Sequence, residues 1–343
     1  MARRPDYRCV VHVSDRNGHR GDYQDLFSSL LRMRPLVGPV RSGLMIKMVF
    51  ARKLLFATVP AACTRYILVA LARALLLKPT CALFLGAIQI ESPRNGLKSS
   101  LSLKLVKLAK RIPSISFLSI VPYTLVPNVQ KFTRDWIFDP QMWDLDALPP
   151  ERAAPSTLLA QSVAEAANGK IVVLFAGRAS KNKGFHELLD FAEQHGRGVF
   201  VVSAGRVDDC CLDIAERLSA IGMRVENRFI FEDELLDLYD VASFAWCLYR
   251  STYDRPSGVF GRAVQADVVP IVRDGSFLHR FAMEYQLPVV PVRSDEACSE
   301  RLLHELQSQS AQRQVGRTNL NDKIHKMKVA SVAKIKRCLR FEV

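Results

Sequence analysis

IVVLFAGRASKNKGFHELLDFAEQH, residues 171–195, is the stretch on which the fold turns. Six apolar residues, Ile171–Ala176, run into a polar turn bounded by Gly177 and Gly184, and Arg178, Lys181 and Lys183 lie inside that turn. The segment that follows places Phe185, Leu188, Leu189 and Ala192 on one face, which is helical spacing. The pattern is a buried strand, a cationic turn and an amphipathic helix. It recurs downstream. Strands are expected at 171–176, 199–204, 227–231, 243–248, 268–272 and 287–292, with helices such as EDELLDLYDVA between them. Apolar strands joined by helical crossovers predict an α/β, doubly wound, mostly parallel sheet.

The first half reads as a second α/β layer, less regular. YRCVVHVS (7–14) is expected to be a buried strand, DRNGHRG a loop, and the chain from about Asp22 to Met33 a helix. Residues 44–77 read as mostly helical, broken near Pro60, and 81–90 and 114–123 read as strands. In 98–111, Lys104, Lys107, Lys110 and Arg111 lie opposite Leu101, Leu105 and Leu108, as on an amphipathic helix. Residues 147–168 are rich in Ala, Pro, Ser and Glu. The expected division is 1–150, a linker at 151–168, a second domain at 169–303, and basic helices at 304–343.

A chain of 343 residues has room for about two domains. Its net charge of +14 is uneven, since residues 1–150 hold 22 Lys and Arg against 9 Asp and Glu. A basic first half and a nearly neutral remainder imply different partners for the two. The eight cysteines form no CxxC pair and read as free thiols of a reducing, cytoplasmic compartment. MARRPDYRC lacks the apolar core of a signal peptide. The apolar stretch 54–77 is interrupted by Pro60, Arg65 and Arg73, so it reads as a core helix pair or an interfacial helix rather than a span. No basic strand interleaved with aromatics is present, which argues against a nucleic-acid partner.

In a doubly wound sheet, ligands bind beyond the carboxyl ends of the strands. Three loops meet that rule. GRASKNKG (177–184) offers Gly177, the bidentate donor Arg178 and the point charge Lys183, followed by the free N–H groups of a helix start. It lacks the GxxxxGK[ST] of a P-loop. YRSTYDRPSGVFGRAVQ (249–265) brings Asp254, Ser257, Gly258 and Arg262, and VRDGSF (272–277) brings Gly275 and Ser276. Taken singly, each is equally an ordinary surface turn with a capped helix.

In order along the chain, these motifs resemble the GT-B fold glycosyltransferases of glycosyltransferase family 4. GRASKNKGFHELL is similar to the family's GR-x4-KG segment, FEDELLDLYDVASFAW to its acidic helix with the following strand, and SGVFGRAVQADVVPIVRDGSF to its glycine-rich donor segment. DRNGHRGDYQDLF resembles the family's N-terminal Gly-His loop. The likeness covers about 171–292 well and 1–150 sparsely. It implies two Rossmann-like domains facing each other across a cleft. By this resemblance, Arg178 and Lys183 contact the diphosphate of a nucleotide-sugar, with Gly177 beside them, and Gly18 approaches the same phosphates. Asp254 and Arg262 stand where the family has two glutamates, one for the sugar and one for the ribose. Arginine only donates, so Arg262 is expected to bind phosphate instead. His19 is the candidate side chain from the first domain. Glu91, the only acid between Asp25 and Asp135, is a second candidate.

The implied activity is transfer of a glycosyl group to a hydroxyl acceptor, a glycan or glycolipid, with retention of configuration. No cofactor or metal is expected, and the DxD at Asp144–Asp146 reads as chance. An anionic membrane surface is a further expected partner for the basic first half, making the protein peripheral on the cytoplasmic face. The alternatives are an inactive GT-B scaffold and a nucleotide-sugar epimerase.

Overall fold

The computed structural model describes residues 6–16, 18–60, 63–85, 104–145, 155–293, 299–312 and 317–341. The chain divides into two compact units, Met1–Pro140 with Lys326–Val343, and Gln141–His325. The first unit therefore ends ten residues before the expected boundary, and the end of the chain returns to it instead of standing apart.

In the first unit, strands β1 (Asp6–Val13), β2 (Met33–Val37), β3 (Lys53–Val59), β4 (Thr80–Phe84), β5 (Ile115–Ser119) and β6 (Asp135–Trp136) form one sheet. Their order is β2-β1-β3-β4-β5-β6, all parallel. The connecting helices are α1 (His19–Leu31), α2 (Ser42–Phe50), α3 (Thr64–Leu75) and α4 (104–109). Strand β3 corrects the expectation that 44–77 is helical. It lies between β1 and β4, and Leu54–Val59 are all buried. A central strand covered on both faces has no alternation, so an apolar run of this kind cannot be told from a buried helix by period.

Arg73, which interrupts the apolar stretch, is fully buried, donating to Thr80 Oγ1 at 2.8 Å and to the carbonyls of Met48, Ala51 and Pro79 at 2.6–2.7 Å. Its guanidinium closes the C-terminus of α2, where helix carbonyls lack intrahelical partners. Burial lowers its pKa to about 10, which leaves it charged at neutral pH.

In the second unit, β7 (Ile171–Ala176), β8 (Val199–Ala204), β9 (Arg224–Glu226), β10 (Phe244–Cys247), β11 (Val269–Arg273) and β12 (Val290–Val292) form a parallel sheet of order β12-β11-β10-β7-β8-β9. This is the Rossmann order, and its direction of winding reverses between β7 and β10. Helices α5 (Leu158–Ala167), α6 (Phe185–His195), α7 (Leu212–Ala220), α8 (Glu232–Val241), α9 (Gly258–Gln265) and α10 (Phe277–Tyr285) cover the sheet. Helix α5 occupies much of the expected linker, because Leu159, Val163 and Ala167 repeat at helical spacing and enter the core. The strand expected at 227–231 lies earlier, at β9. Asn227 Oδ1 accepts from the Val207 N–H at 2.8 Å, and Phe229 and Phe231 are exposed rather than paired.

Two helices close the chain, α11 (Glu300–Gln312) and α12 (Arg317–Cys338). The second half of α12 packs in the first unit. Ser331 Oγ accepts from the Phe138 N–H at 3.1 Å, Lys334 donates to Asp135 and to the Trp136 carbonyl, each at 2.8 Å, and Ile335 and Leu339 are buried. Among the described residues, no helix is long and apolar enough to cross a membrane. Glu91, Asp146 and the start of the 98–111 helix lie outside the described residues.

Candidate functional site

The reversal between β7 and β10 places two loops side by side. Gly184 shows how closely they meet. A side chain there would bring its Cβ within 2.1 Å of the Leu248 carbonyl oxygen, and the Gly184 carbonyl accepts from Trp246 Nε1 at 3.0 Å. Its backbone is left-handed, φ +74°, a conformation that glycine adopts at little cost. The Arg250 N–H donates to the Asn182 carbonyl at 3.1 Å, and Thr252 Oγ1 donates to Asn182 Oδ1 at 3.1 Å. The turn Lys181–Lys183 is thus clamped between the ends of two adjacent strands.

Lys183 is the residue this clamp turns inward, while Lys181 is exposed. Gly177 beside it adopts the left-handed φ +82°, and a Cβ there would make only ordinary contact, 3.5 Å, with the Lys183 ammonium. Among the described residues Lys183 has no ion pair. Burial lowers its pKa, opposed most by the Cys247 sulfur and less by Asp208. A partly buried ammonium without a direct ion pair is a poised anion site. Cys247 itself is a buried thiol raised to about 12 and is no nucleophile.

Arg178 differs from the expectation. Its side chain is 74% exposed and its Nε donates to Asp208, just beyond β8, which raises its pKa. The Asp208 N–H in turn donates to the Ala179 carbonyl at 3.0 Å. Asp208 engages only the Nε–H, so the Nη donors remain to meet a phosphate while the carboxylate competes for the same charge.

The second loop is organised by its own side chains. Ser257 caps α9, accepting from the Phe260 N–H at 3.5 Å, and its hydroxyl shares a 2.9 Å hydrogen bond with Tyr249. Gly258 and Gly261 let the chain at Gln141 lie on α9, since added Cβ atoms would fall 1.9 Å from Gln141 Oε1 and 2.3 Å from its carbonyl oxygen. Close packing against backbone thus accounts for Gly261, while Gly258 meets only the end of the Gln141 side chain. Asp254 accepts from Arg273 at 3.0 Å and from the Phe277 N–H at 2.8 Å, tying this loop to the start of α10. There Ser276 caps the helix, and the Gly275 N–H donates to His279 Nδ1 at 3.0 Å. The three loops do converge, but Asp254 is committed to holding them together.

Arg262 is engaged by protein groups. Its side chain is 10% exposed and lies between Asp144 at 3.0 Å and Glu232 at 3.3 Å. Two carboxylates, not a phosphate, occupy its donors. Asp144 Oδ1 also accepts from Gln265 Nε2 at 2.9 Å, which uses it as a structural acceptor. Gln141, Asp144, Asp208 and Glu232 went unrecognised in the sequence because each works through a partner about 30 to 120 residues away.

In the first unit, Gly18 (φ +54°) precedes α1, and His19 opens that helix beyond the carboxyl end of β1. The imidazole is 5.4 Å from the Tyr23 ring. Although His19 is accessible, surrounding protein desolvates it and lowers its pKa, while Asp139 opposes the shift. Tyr23 donates its hydroxyl to Asp139. A second histidine, His12 in β1, escaped notice inside an apolar run. It is fully buried, its Nε2–H donates to the Gly38 carbonyl at 2.8 Å, and desolvation pulls its pKa down to about 4.

No family model and no curated protein matches the sequence. Solved structures do. HepE of Anabaena, in complex with UDP and glucose, superposes with a TM-score of 0.63 over 98% of this chain and 100% of its own, at 13% identity. Two parallel six-stranded sheets with helices, superposed over full length, decide the architecture. The chain has the GT-B fold. An α,α-trehalose 6-phosphate synthase from Burkholderia multivorans shares the GT-B fold at a TM-score of 0.58, 9% identity and 98% coverage of both chains. WaaG, a glycosyltransferase involved in lipopolysaccharide biosynthesis, does so at 0.54 and 10%, over 96% of this chain and 99% of its own. Within this GT-B chain, the β7–β10 reversal is the Rossmann crevice of the second unit.

Proposed function

We propose that this protein transfers a glycosyl group from a nucleotide-diphosphate sugar to a hydroxyl of a glycan or glycolipid acceptor, with retention of configuration. The observation that carries the reading is the partly buried Lys183 ammonium, which makes no ion pair among the described residues, where β7 and β10 diverge. Departure of the nucleoside diphosphate builds negative charge. A preorganised cation and the N–H groups opening α6 stabilise that charge without reorganisation. Arg178 joins them through its Nη donors. Gly177 lets the diphosphate approach the backbone, and Gly18 and His19 serve the first unit's side of the reaction. The bound UDP and glucose of HepE support this assignment by likeness of fold.

A second reading keeps the ligand and drops the chemistry. Arg262 stands where the resemblance implies a ribose-binding carboxylate, but a guanidinium has no acceptor and two of its donors hold Asp144 and Glu232. On that reading the protein binds nucleotide-sugars as a scaffold. A thermal-shift screen against UDP-, GDP- and ADP-sugars, repeated with Lys183→Ala, tests both readings. Transfer requires a hit lost in the variant, together with release of nucleoside diphosphate. A hit without release in the presence of any hydroxyl acceptor supports the scaffold, and no hit at all sinks both.

A further inference from the structure

Helix α3 ends in three leucines that the fold does not bury. Leu75, Leu76 and Leu77 are 87%, 45% and 79% exposed, and Phe50, the last residue of α2, is 66% exposed. Lys78 joins the two helix ends, its ammonium donating to the Phe50 carbonyl at 2.8 Å and standing 5.4 Å from the Phe50 ring centre. The four apolar side chains therefore share one tip. Leu77 adopts φ +55°, the left-handed position after a helix that suits glycine or asparagine. Neither burial nor backbone preference accounts for a leucine there.

Cations surround this tip. Lys47 and Arg52 are exposed beside it, and Arg340 reaches the same edge of the first sheet, its carbonyl accepting from Lys53 at 2.8 Å. From residue 26 to residue 134 the sequence has 17 Lys and Arg and one acid, Glu91. Cations near helix C-termini complement the helix dipole. That accounts for one or two of them, not for a field of one sign or for the leucines. Nucleic acid would answer the charge but offers no apolar phase, and a second copy would bring like charges together. An anionic bilayer answers both features, taking apolar side chains at the headgroup boundary and neutralising Lys and Arg.

We propose that the tip formed by Phe50, Leu75, Leu76 and Leu77, with Lys47, Arg52 and Lys78 around it, docks this protein on an anionic lipid bilayer. The tip lies at the amino edge of the first sheet, where helices α2 and α3 lead into β3 and β4. Gly18 and His19 lie at the opposite, carboxyl edge. The seven residues of β3 separate these edges by about 20 Å, so docking turns the 18–19 loop away from the lipid. The inference is independent of the transfer reading.

Flotation of the full chain with vesicles of phosphatidylcholine alone, or mixed with phosphatidylglycerol, is the test. Binding is expected only with the anionic lipid, and it should weaken as salt rises. Phe50→Ser/Leu75→Ser/Leu77→Asn should reduce partitioning at least tenfold, and Lys47→Glu/Arg52→Glu should do the same. Both variants should keep the wild-type melting temperature and its thermal shift with a nucleotide-sugar, so failure here is distinct from failure of the donor site. No binding to anionic vesicles, or equal binding by the apolar variant, overturns the proposal. So does a concentration-dependent dimer that the apolar variant dissociates without any vesicle binding, or a shift of duplex DNA without it.

Discussion

Arg262 and Asp144 form a 3.0 Å ion pair whose side chains are 10% and 7% exposed. The pair joins the segment leading into the second unit to helix α9, and Gln265 completes it. Removing one member of a buried pair strands the other charge, at a cost of about 3–5 kcal/mol. Arg262→Ala is expected to fall within or just below that range in urea unfolding. The double variant Arg262→Ala/Asp144→Ala should lose much less than the sum of the two single variants. Wild-type stability in Arg262→Ala, together with loss of nucleotide binding, would instead make Arg262 a ligand contact.

Lys183 and Arg178 should not be equivalent. Among the described residues Lys183 makes no ion pair, so Lys183→Ala is expected to weaken binding of whichever nucleotide-sugar the thermal-shift screen identifies at least tenfold by calorimetry. Arg178 shares its charge with Asp208 and is largely exposed, so Arg178→Ala should weaken binding only a few-fold. Asp208→Ala, which frees the guanidinium, should tighten binding. Equal losses in the two cation variants would argue against the arrangement described.

Glycine substitutions should rank by what a Cβ meets. Gly184→Ala drives a Cβ into the Leu248 carbonyl at 2.1 Å from a left-handed backbone, and more than about 2 kcal/mol of stability should be lost. Gly258→Ala meets the end of the flexible Gln141 side chain, which can move. Gly275→Ala meets nothing within 4 Å and should cost only the left-handed backbone term, about 1 kcal/mol. Thermal unfolding of the three variants gives the order, and a mild Gly184→Ala would contradict the close approach of the two loops.

His12 makes stability depend on pH. Its folded pKa of about 4 lies below the ordinary 6.5, so the unfolded chain binds more protons between those values. The contribution is complete above pH 6.5 and is lost as pH falls through 4. A shift of this size corresponds to about 3 kcal/mol. His19 is lowered as well and acts in the same direction. The urea midpoint should fall from pH 7 to pH 4.5, and His12→Asn should flatten that slope. An unchanged slope would place the pH dependence elsewhere.

The sequence by itself determined the second unit. IVVLFAG and VFVVSA are apolar runs between turns and amphipathic helices, and strand periodicity needs only near neighbours. The cationic turn at 177–184 was legible too, as charge after a core strand and by resemblance of its GR-x4-KG spacing, but which of its lysines turns inward was not. Tertiary structure decided the rest. LLFATV became a central strand only because β1 and β4 flank it, and a run buried on both faces carries no period. Arg73 became an internal peg because it meets the carbonyls of another helix. Arg178, Asp254 and Arg262 were recognised as charged groups near the site, but the sequence could not show their partners. Asp208, Arg273 and Asp144 reach them from strands and loops about 20 to 120 residues away, and only folding brings those charges together.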